Sequence, residues 1–165
     1  MNKNLFEYTL RLGDTSLILS QRLGEWCGHG PVLEEDIALT NIALDLLGQA
    51  KAFLAYAGEI EGKGRSEDSL AFHRDANQFR NMLLTEQPNV DFGCTIVRQL
   101  FVSAWQHYLY SELTQSTDKN ISALAVKSLK EVNYHLRYAS DWTMRLGDGT
   151  EESHQRMQNA VNELW

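Results

Sequence analysis

ISALAVKSLKEVNYHLRYASDWTMRL, residues 121 to 146, keeps a helical period with no glycine or proline to interrupt it, and sets Glu131 and His135 four residues apart on one face. A carboxylate and an imidazole on one face of a long helix are half of a helical-bundle metal centre at most. Such bundles take a carboxylate from each of four helices and two histidines. The rest of the chain therefore has two questions to answer: whether three more long helices exist, and whether they complete the ligand set.

Moving toward the N-terminus, residues 92 to 114 carry Ile96, Leu100, Phe101, Ala104, Tyr108 and Leu113 as a helical stripe, separated from the quoted stretch by a turn near Asp118. Residues 5 to 23 place Leu5, Tyr8, Leu12, Leu19 and Leu23 on one face and break at Gly24. After a turn containing Gly28, Gly30 and Pro31, a second long helix runs from Leu33 to Ile60 with Ile37, Ile42, Leu46, Phe53 and Ala57 as its stripe, stopped by Gly62 and Gly64. Residues 65 to 91 are polar, then briefly apolar at Phe79, Met82, Leu83 and Leu84 before Pro88, and read as short helical pieces on a crossover.

Beyond Leu146, Gly147 and Gly149 are followed by Thr150 as N-cap, with Glu151 and Glu152 in a first turn. This last helix carries Met157, Val161 and Leu164 and runs to Trp165 with no stop signal, so a truncated C-terminus is expected. Two helical hairpins joined by one long connection predict an all-α fold: a ferritin-like four-helix bundle with one long crossover and an additional C-terminal helix, as a single domain over residues 1–165.

Composition narrows the function classes. At 165 residues and 43% hydrophobic the chain can bury a core of ordinary domain size, and its two prolines and 22% charged residues argue against disorder. A formal charge of −7 with scattered basic residues argues against nucleic acid and anionic membrane as partners. Glu7, Arg11 and Asp14 interrupt the first apolar stretch, so it is neither signal peptide nor membrane span, and no run elsewhere is expected to reach the roughly 18 apolar residues needed to cross a bilayer. Cys27 and Cys94 form no C-x-x-C pair and suit free thiols in a reducing cytoplasm. Cys27 with His29 lacks a second pair at zinc spacing. The glycines read as helix stops, with no nucleophile elbow or phosphate loop among them.

Octahedral iron wants hard oxygen with imidazole, arranged in the ferritin-like di-iron proteins as one Glu on each of two helices and Glu-x-x-His on the other two. Here the position three after Glu131 is Tyr134, and the histidine falls one place later. On the second helix Asp45 is followed at three by Gly48 and at four by Gln49, neither an imidazole. The first helix offers Asp14. Between Asp91 and Glu112 the third has no carboxylate, only Gln99, Gln106 and His107. Asp45, Glu131 and His135 are thus the residual metal candidates, and the expectation is no metal and no catalytic residue in this chain. Asn41, Asp45 and Gln49 form a polar stripe that either meets Glu131 and His135 in a hydrogen-bonded network or faces water. The aromatics Trp105, Tyr108, Tyr110, Tyr134, Tyr138 and Trp142 suit core packing or a subunit interface.

TLRLGD at 9 to 14, SQRLGEWCGHGPVLEEDIALTNIALDLLGQA at 20 to 50, EQPN at 86 to 89, KEVNYHLRY at 130 to 138 and RLGDGT at 145 to 150 together resemble the C-subunit family of the bacterial phenylacetyl-CoA epoxidases. The resemblance spans essentially the whole chain. It implies a ferritin-like, non-catalytic structural subunit of a multicomponent oxygenase of aerobic phenylacetate breakdown. It further implies a catalytic A subunit as partner, carrying the di-iron centre and binding the CoA thioester, and a reductase delivering electrons from NADPH; self-association is an alternative partnering. The rival reading is a free-standing di-metal oxidase or oxygenase built on Asp45, Glu131 and His135.

Overall fold

The computed structural model describes residues 2–165, and every regular element among them is helical. Long helices α1 (Lys3–Gly24) and α2 (Leu33–Glu61) are followed by the short α3 (Glu67–Phe72) and two 3₁₀ turns, Ala76–Gln78 and Leu83–Glu86. Long helices α4 (Phe92–Leu113) and α5 (Lys119–Gly147) come next, and α6 (Glu151–Leu164) ends the chain. The expected all-α class holds, and the element order is the one the ferritin-like reading requires. Residue contacts divide the chain into two compact units, Met1–Glu86 and Gln87–Trp165.

In the first unit, the Asn2 side chain caps α1 by accepting from the Leu5 N–H at 3.2 Å. The turn after α1 is held from the helix that follows it. One carboxylate oxygen of Asp36, in the first turn of α2, accepts from the Gly28 N–H at 2.8 Å and the Gly30 N–H at 3.0 Å. Gly28 sits at φ 81°, where an L side chain would be strained. Val32 supplies no side-chain cap, so Glu34, Glu35 and Asp36 in the first turn are what complements the exposed amides of α2. Gly62 at φ 69° ends the helix in a left-handed turn. Phe6, Leu10 and Leu17 of α1 pack on Ala50, Leu54 and Ala57 of α2, with Leu70 of α3 closing the cluster.

At the end of α2, the buried Glu61 carboxylate accepts two parallel N–H bonds from Arg65, each 2.6 Å, with Lys63 Nζ at 3.4 Å. The hydrogen bonds from Arg65 hold its carboxyl below the ordinary value near 4.5. A folded value below the unfolded one means this contact stabilises the protein above the ordinary carboxylate range, and the contribution disappears as pH falls through the lower folded value. Melting temperatures of the wild type and Glu61→Gln are therefore expected to differ by a constant amount from pH 7 down to about pH 5 and to converge below that. A gap that stays constant to pH 3 would contradict this.

In the second unit, Asp91, Asp118 and Thr150 cap α4, α5 and α6 in turn; Thr150 and Ser153 exchange side-chain-to-amide bonds of 3.1 and 2.9 Å. The cap and the first-turn acids expected for α6 are thus in place. Cys94, Ile96 and Val97 of α4 pack with Met157 and Ala160 of α6, bordered by Phe92, Phe101, Tyr138 and Trp142. Phe92 meets Trp142 edge to face at 5.2 Å.

Burial pushes the Cys94 thiol above its usual range, whereas Cys27 is exposed in the turn after α1. Iodoacetamide is accordingly expected to alkylate Cys27 rapidly and Cys94 only after unfolding. Mass spectrometry after a short pulse checks it; equal labelling of both would be the contrary result.

One expectation about α2 needs correction. No segment beyond the N-terminus was expected to reach membrane length, but α2 is long and apolar enough to cross a bilayer by length and composition alone. The cause is that apolar residues occupy both of its faces. Leu39, Ile42, Leu46 and Phe53 are fully buried, while Leu33, Ile37, Leu44 and Leu47 are 45 to 71% exposed. Ile37, read from periodicity as part of the inner stripe, is on the outside.

Candidate functional site

The polar interior of the first unit centres on Asp14 of α1, which is fully buried. Arg74, 60 residues along the chain, forms a two-armed ion pair with it, Nη1 donating to Oδ2 at 3.0 Å and Nη2 donating to Oδ1. The Arg80 backbone N–H adds a third donor to Oδ2 at 2.8 Å. Asp14 is thus committed to fastening the crossover onto α1. The sequence signal was partial: an acid, Asp14, in the interior of α1, and arginines in the polar crossover segment.

On α2, Asp45 is half-buried, Gly48 is exposed and Gln49 is buried. Asn41, at the other end of this stripe, is exposed, so the stripe is graded from solvent to interior rather than wholly one or the other. Glycine at the third position after Asp45 removes any ligand there, and an amide follows at the fourth.

In the second unit, His135 of α5 is fully buried and Glu131, one turn earlier, is half-buried. The Tyr134 ring lies edge-on to His135 at 6.2 Å. On α4 the buried residues are not the apolar stripe read from the sequence. Tyr108 of that stripe is 72% exposed, and Gln99, Ser103 and Gln106 are each fully buried. Gln99 Nε2 donates to Ser103 Oγ at 2.8 Å. Neither polar atom of the Gln106 amide has a hydrogen-bond partner among the described residues.

Three of the four remaining histidines, His29, His107 and His154, have structural partners that spacing could not reveal. His107 Nδ1 lies 2.8 Å from Asn133 Oδ1, joining α4 to α5, and His154 Nδ1 lies 2.8 Å from the Gly147 carbonyl. His29 Nδ1 contacts the Cys27 carbonyl oxygen, not its thiol. Of the six helical aromatics, Tyr110 is fully buried, Tyr138 and Trp142 border the α6 cluster, and Trp105, Tyr108 and Tyr134 are exposed. Arg98 is a fully buried cation that the sequence did not single out. It donates to the Gln87 carbonyl and to Asn89 Oδ1, holding the segment before α4.

A cleft of about 350 Å³ opens between the starts of α4 and α6. Its ionic groups are mutually engaged, Arg156 lying 3.6 Å from Asp91 and 2.5 Å from Glu152. Its hydroxyls are engaged as well, Ser153 Oγ donating to the Leu146 carbonyl at 2.7 Å.

These donors do not fit a di-iron group. Asp14 is held by Arg74, α2 offers an amide and a glycine after Asp45, and α4 turns two amides and a hydroxyl inward where hard oxygen ligands would be needed. Among the described residues, neither unit gathers three or more His, Cys, Asp or Glu side chains within reach of one metal ion.

Two comparisons bear on the chain's relatives. The family described as phenylacetic acid catabolic protein matches residues 1–165. The C subunit of the 1,2-phenylacetyl-CoA epoxidase of Escherichia coli (strain K12) is 57% identical over 161 residues, covering 98% of this chain and 64% of that protein. The chain thus spans a little under two thirds of the length of the relative it matches.

Proposed function

This chain belongs to the phenylacetic acid catabolic protein family, and from that membership we propose that it is a non-catalytic structural subunit of a multicomponent phenylacetyl-CoA epoxidase. In this reading it supports a catalytic di-iron A subunit in the cytoplasm, binds no cofactor itself, and leaves electron delivery to a separate reductase. The observation that supports it best is the inward face of α4, which buries Gln99, Ser103 and Gln106 and no carboxylate. Carboxylates gathered in a low-dielectric interior repel one another unless a metal neutralises them, whereas amides carry no charge. A helix bundle with amides inside is therefore stable without metal, and cannot hold iron tightly. Such a bundle can still fix the helices of a related catalytic subunit through a large interface, and so fix its metal geometry.

The test is co-expression with the A-type subunit of the same organism and metal analysis of each chain. Expected are substoichiometric iron on this chain, iron on its sibling, and a sibling that loses stability or solubility when expressed alone. Glu131→Gln is expected to leave turnover of the assembled complex unchanged. About two metals per copy of this chain, or turnover that collapses in Glu131→Gln at unchanged melting temperature, would instead favour the free-standing di-metal enzyme.

A further inference from the structure

Helix α5 turns its cations outward and leaves them unpaired. Its basic residues are Lys119, Lys127, Lys130, Arg137 and Arg145; all are exposed, and at 3.6 residues per turn they fall within an arc of about 80°. None of their side chains has an ion pair or hydrogen bond among the described residues. In the first unit the opposite holds, since Arg22, Lys51, Lys63, Arg65, Arg74 and Arg80 each meet a carboxylate. In a chain of net charge −7, acids are plentiful, so an uncompensated basic row is a local feature and not a consequence of composition. The same face carries contact residues: Val126, Tyr134 and Met144 are 41 to 60% exposed among the cations. Arg137 lies over the Tyr134 ring at 5.9 Å and Arg145 over the Trp142 ring at 5.4 Å, which positions both guanidiniums without neutralising them. Exposed Tyr, Met and Arg on one face are the residues enriched at protein interfaces.

Charge selects the occupant. A second copy joined about a two-fold axis through this face would set cation against cation. Nucleic acid or an anionic membrane extends past the row and meets the rest of an acidic chain, which repels it. A folded protein with a local acidic patch meets the row alone. Three separate apolar side chains bury too little for a permanent contact, whereas unpaired charges speed a reversible encounter. Under the structural-subunit reading, the component that must dock and leave is the reductase. We infer that the outward face of α5 docks that reductase through an acidic patch on the reductase surface, and so steers its encounter with the assembled complex. This rests on the structural-subunit reading.

The test follows turnover of the assembled complex, with this chain in its full natural length, against reductase concentration. Lys130→Glu combined with Arg137→Glu is expected to raise the KM for reductase about tenfold and to flatten its rise with salt, while kcat at saturating reductase holds. Lys3→Glu combined with Arg11→Glu makes the same change in net charge at two exposed cations of α1, and is expected to leave that KM within about twofold of wild type. A wild-type KM in the α5 variant, or an equal rise in the α1 control, overturns the inference and leaves the structural-subunit reading intact. So does a loss of kcat at unchanged KM, which would set the face against the catalytic sibling. A homodimer, duplex-DNA binding or phosphatidylglycerol-vesicle binding that the α5 variant abolishes overturns it as well. Full turnover by the sibling and reductase without this chain overturns the structural-subunit reading itself, and is seen before any variant is made.

Discussion

Arg74→Ala is expected to lower stability by about 3 to 5 kcal/mol, the cost of leaving one partner of a buried ion pair uncompensated. The magnitude follows from burial on both sides: the Asp14 side chain is fully buried and that of Arg74 only 4% exposed. Solvent cannot screen the carboxylate once the guanidinium is gone, and the Arg80 N–H alone does not replace it. Arg74 also shapes the crossover. Its Nε donates to the Leu70 carbonyl, its Nη1 to the Gln78 carbonyl at 3.3 Å, and its guanidinium lies 4.2 Å from the Phe79 ring centroid. At about 2 to 4 °C per kcal/mol for a chain of this size, the melting temperature is expected to fall by roughly 10 °C. Asp14→Ala made on the Arg74→Ala background is expected to cost far less than on the wild type, because the charge left behind is then removed as well. Urea unfolding of the two single variants and the double variant measures this. A loss under 1 kcal/mol for Arg74→Ala, or simple additivity, would refute it.

Gly58→Ala is the second large effect, and its sign opposes helix propensity. Propensity alone favours alanine by about 1 kcal/mol in a helix interior. A Cβ at position 58, however, would lie 2.3 Å from the backbone carbonyl oxygen of Arg65, and the Glu61 to Arg65 ion pair prevents that segment from swinging away. Overpacking of this kind costs about 1 to 3 kcal/mol, and here it meets backbone rather than a flexible side chain. Gly48→Ala provides the contrast on the same helix. Nothing lies within 4 Å of its Cβ position, so a gain of about 0.5 to 1 kcal/mol is expected there. Thermal unfolding of the two variants side by side should move in opposite directions. A shared direction would mean propensity governs both.

The helices were legible because their ends carry chemical signals. Asp91, Asp118 and Thr150 precede apolar periods, Gly62 follows one, and each marks a terminus within about two residues of where it lies. Which face turns inward was less legible where a helix is apolar on more than one side. On α4 the stripe through Tyr108 looked like the core face, yet the buried residues include Gln99, Ser103 and Gln106. On α2, Ile37 was assigned inward and lies outside for the same reason. Periodicity counts apolar residues and gives no weight to a buried amide. At the candidate site, the ligand shortfall could be read directly, because Gly48 and the absence of a carboxylate between Asp91 and Glu112 are matters of identity. The Asp14 to Arg74 clamp was legible only in outline, as an interior acid and a crossover rich in arginine; which arginine meets it, 60 residues away, is nothing that spacing can say.

That separation has a kinetic meaning. Helices α1 and α2 adjoin through residues 25–32, and α4 and α5 through 114–118, so most contacts within each unit are between chain neighbours and can form quickly as the polypeptide leaves the ribosome. Closing a 60-residue loop to bring Arg74 to Asp14 costs more chain entropy than either hairpin, which places the clamp among the last contacts made and the first released. The Arg74→Ala protein should accordingly refold at nearly the normal rate and unfold much faster. The crossover then acts as a latch, adding little to how fast the helices assemble and much to how long they stay assembled.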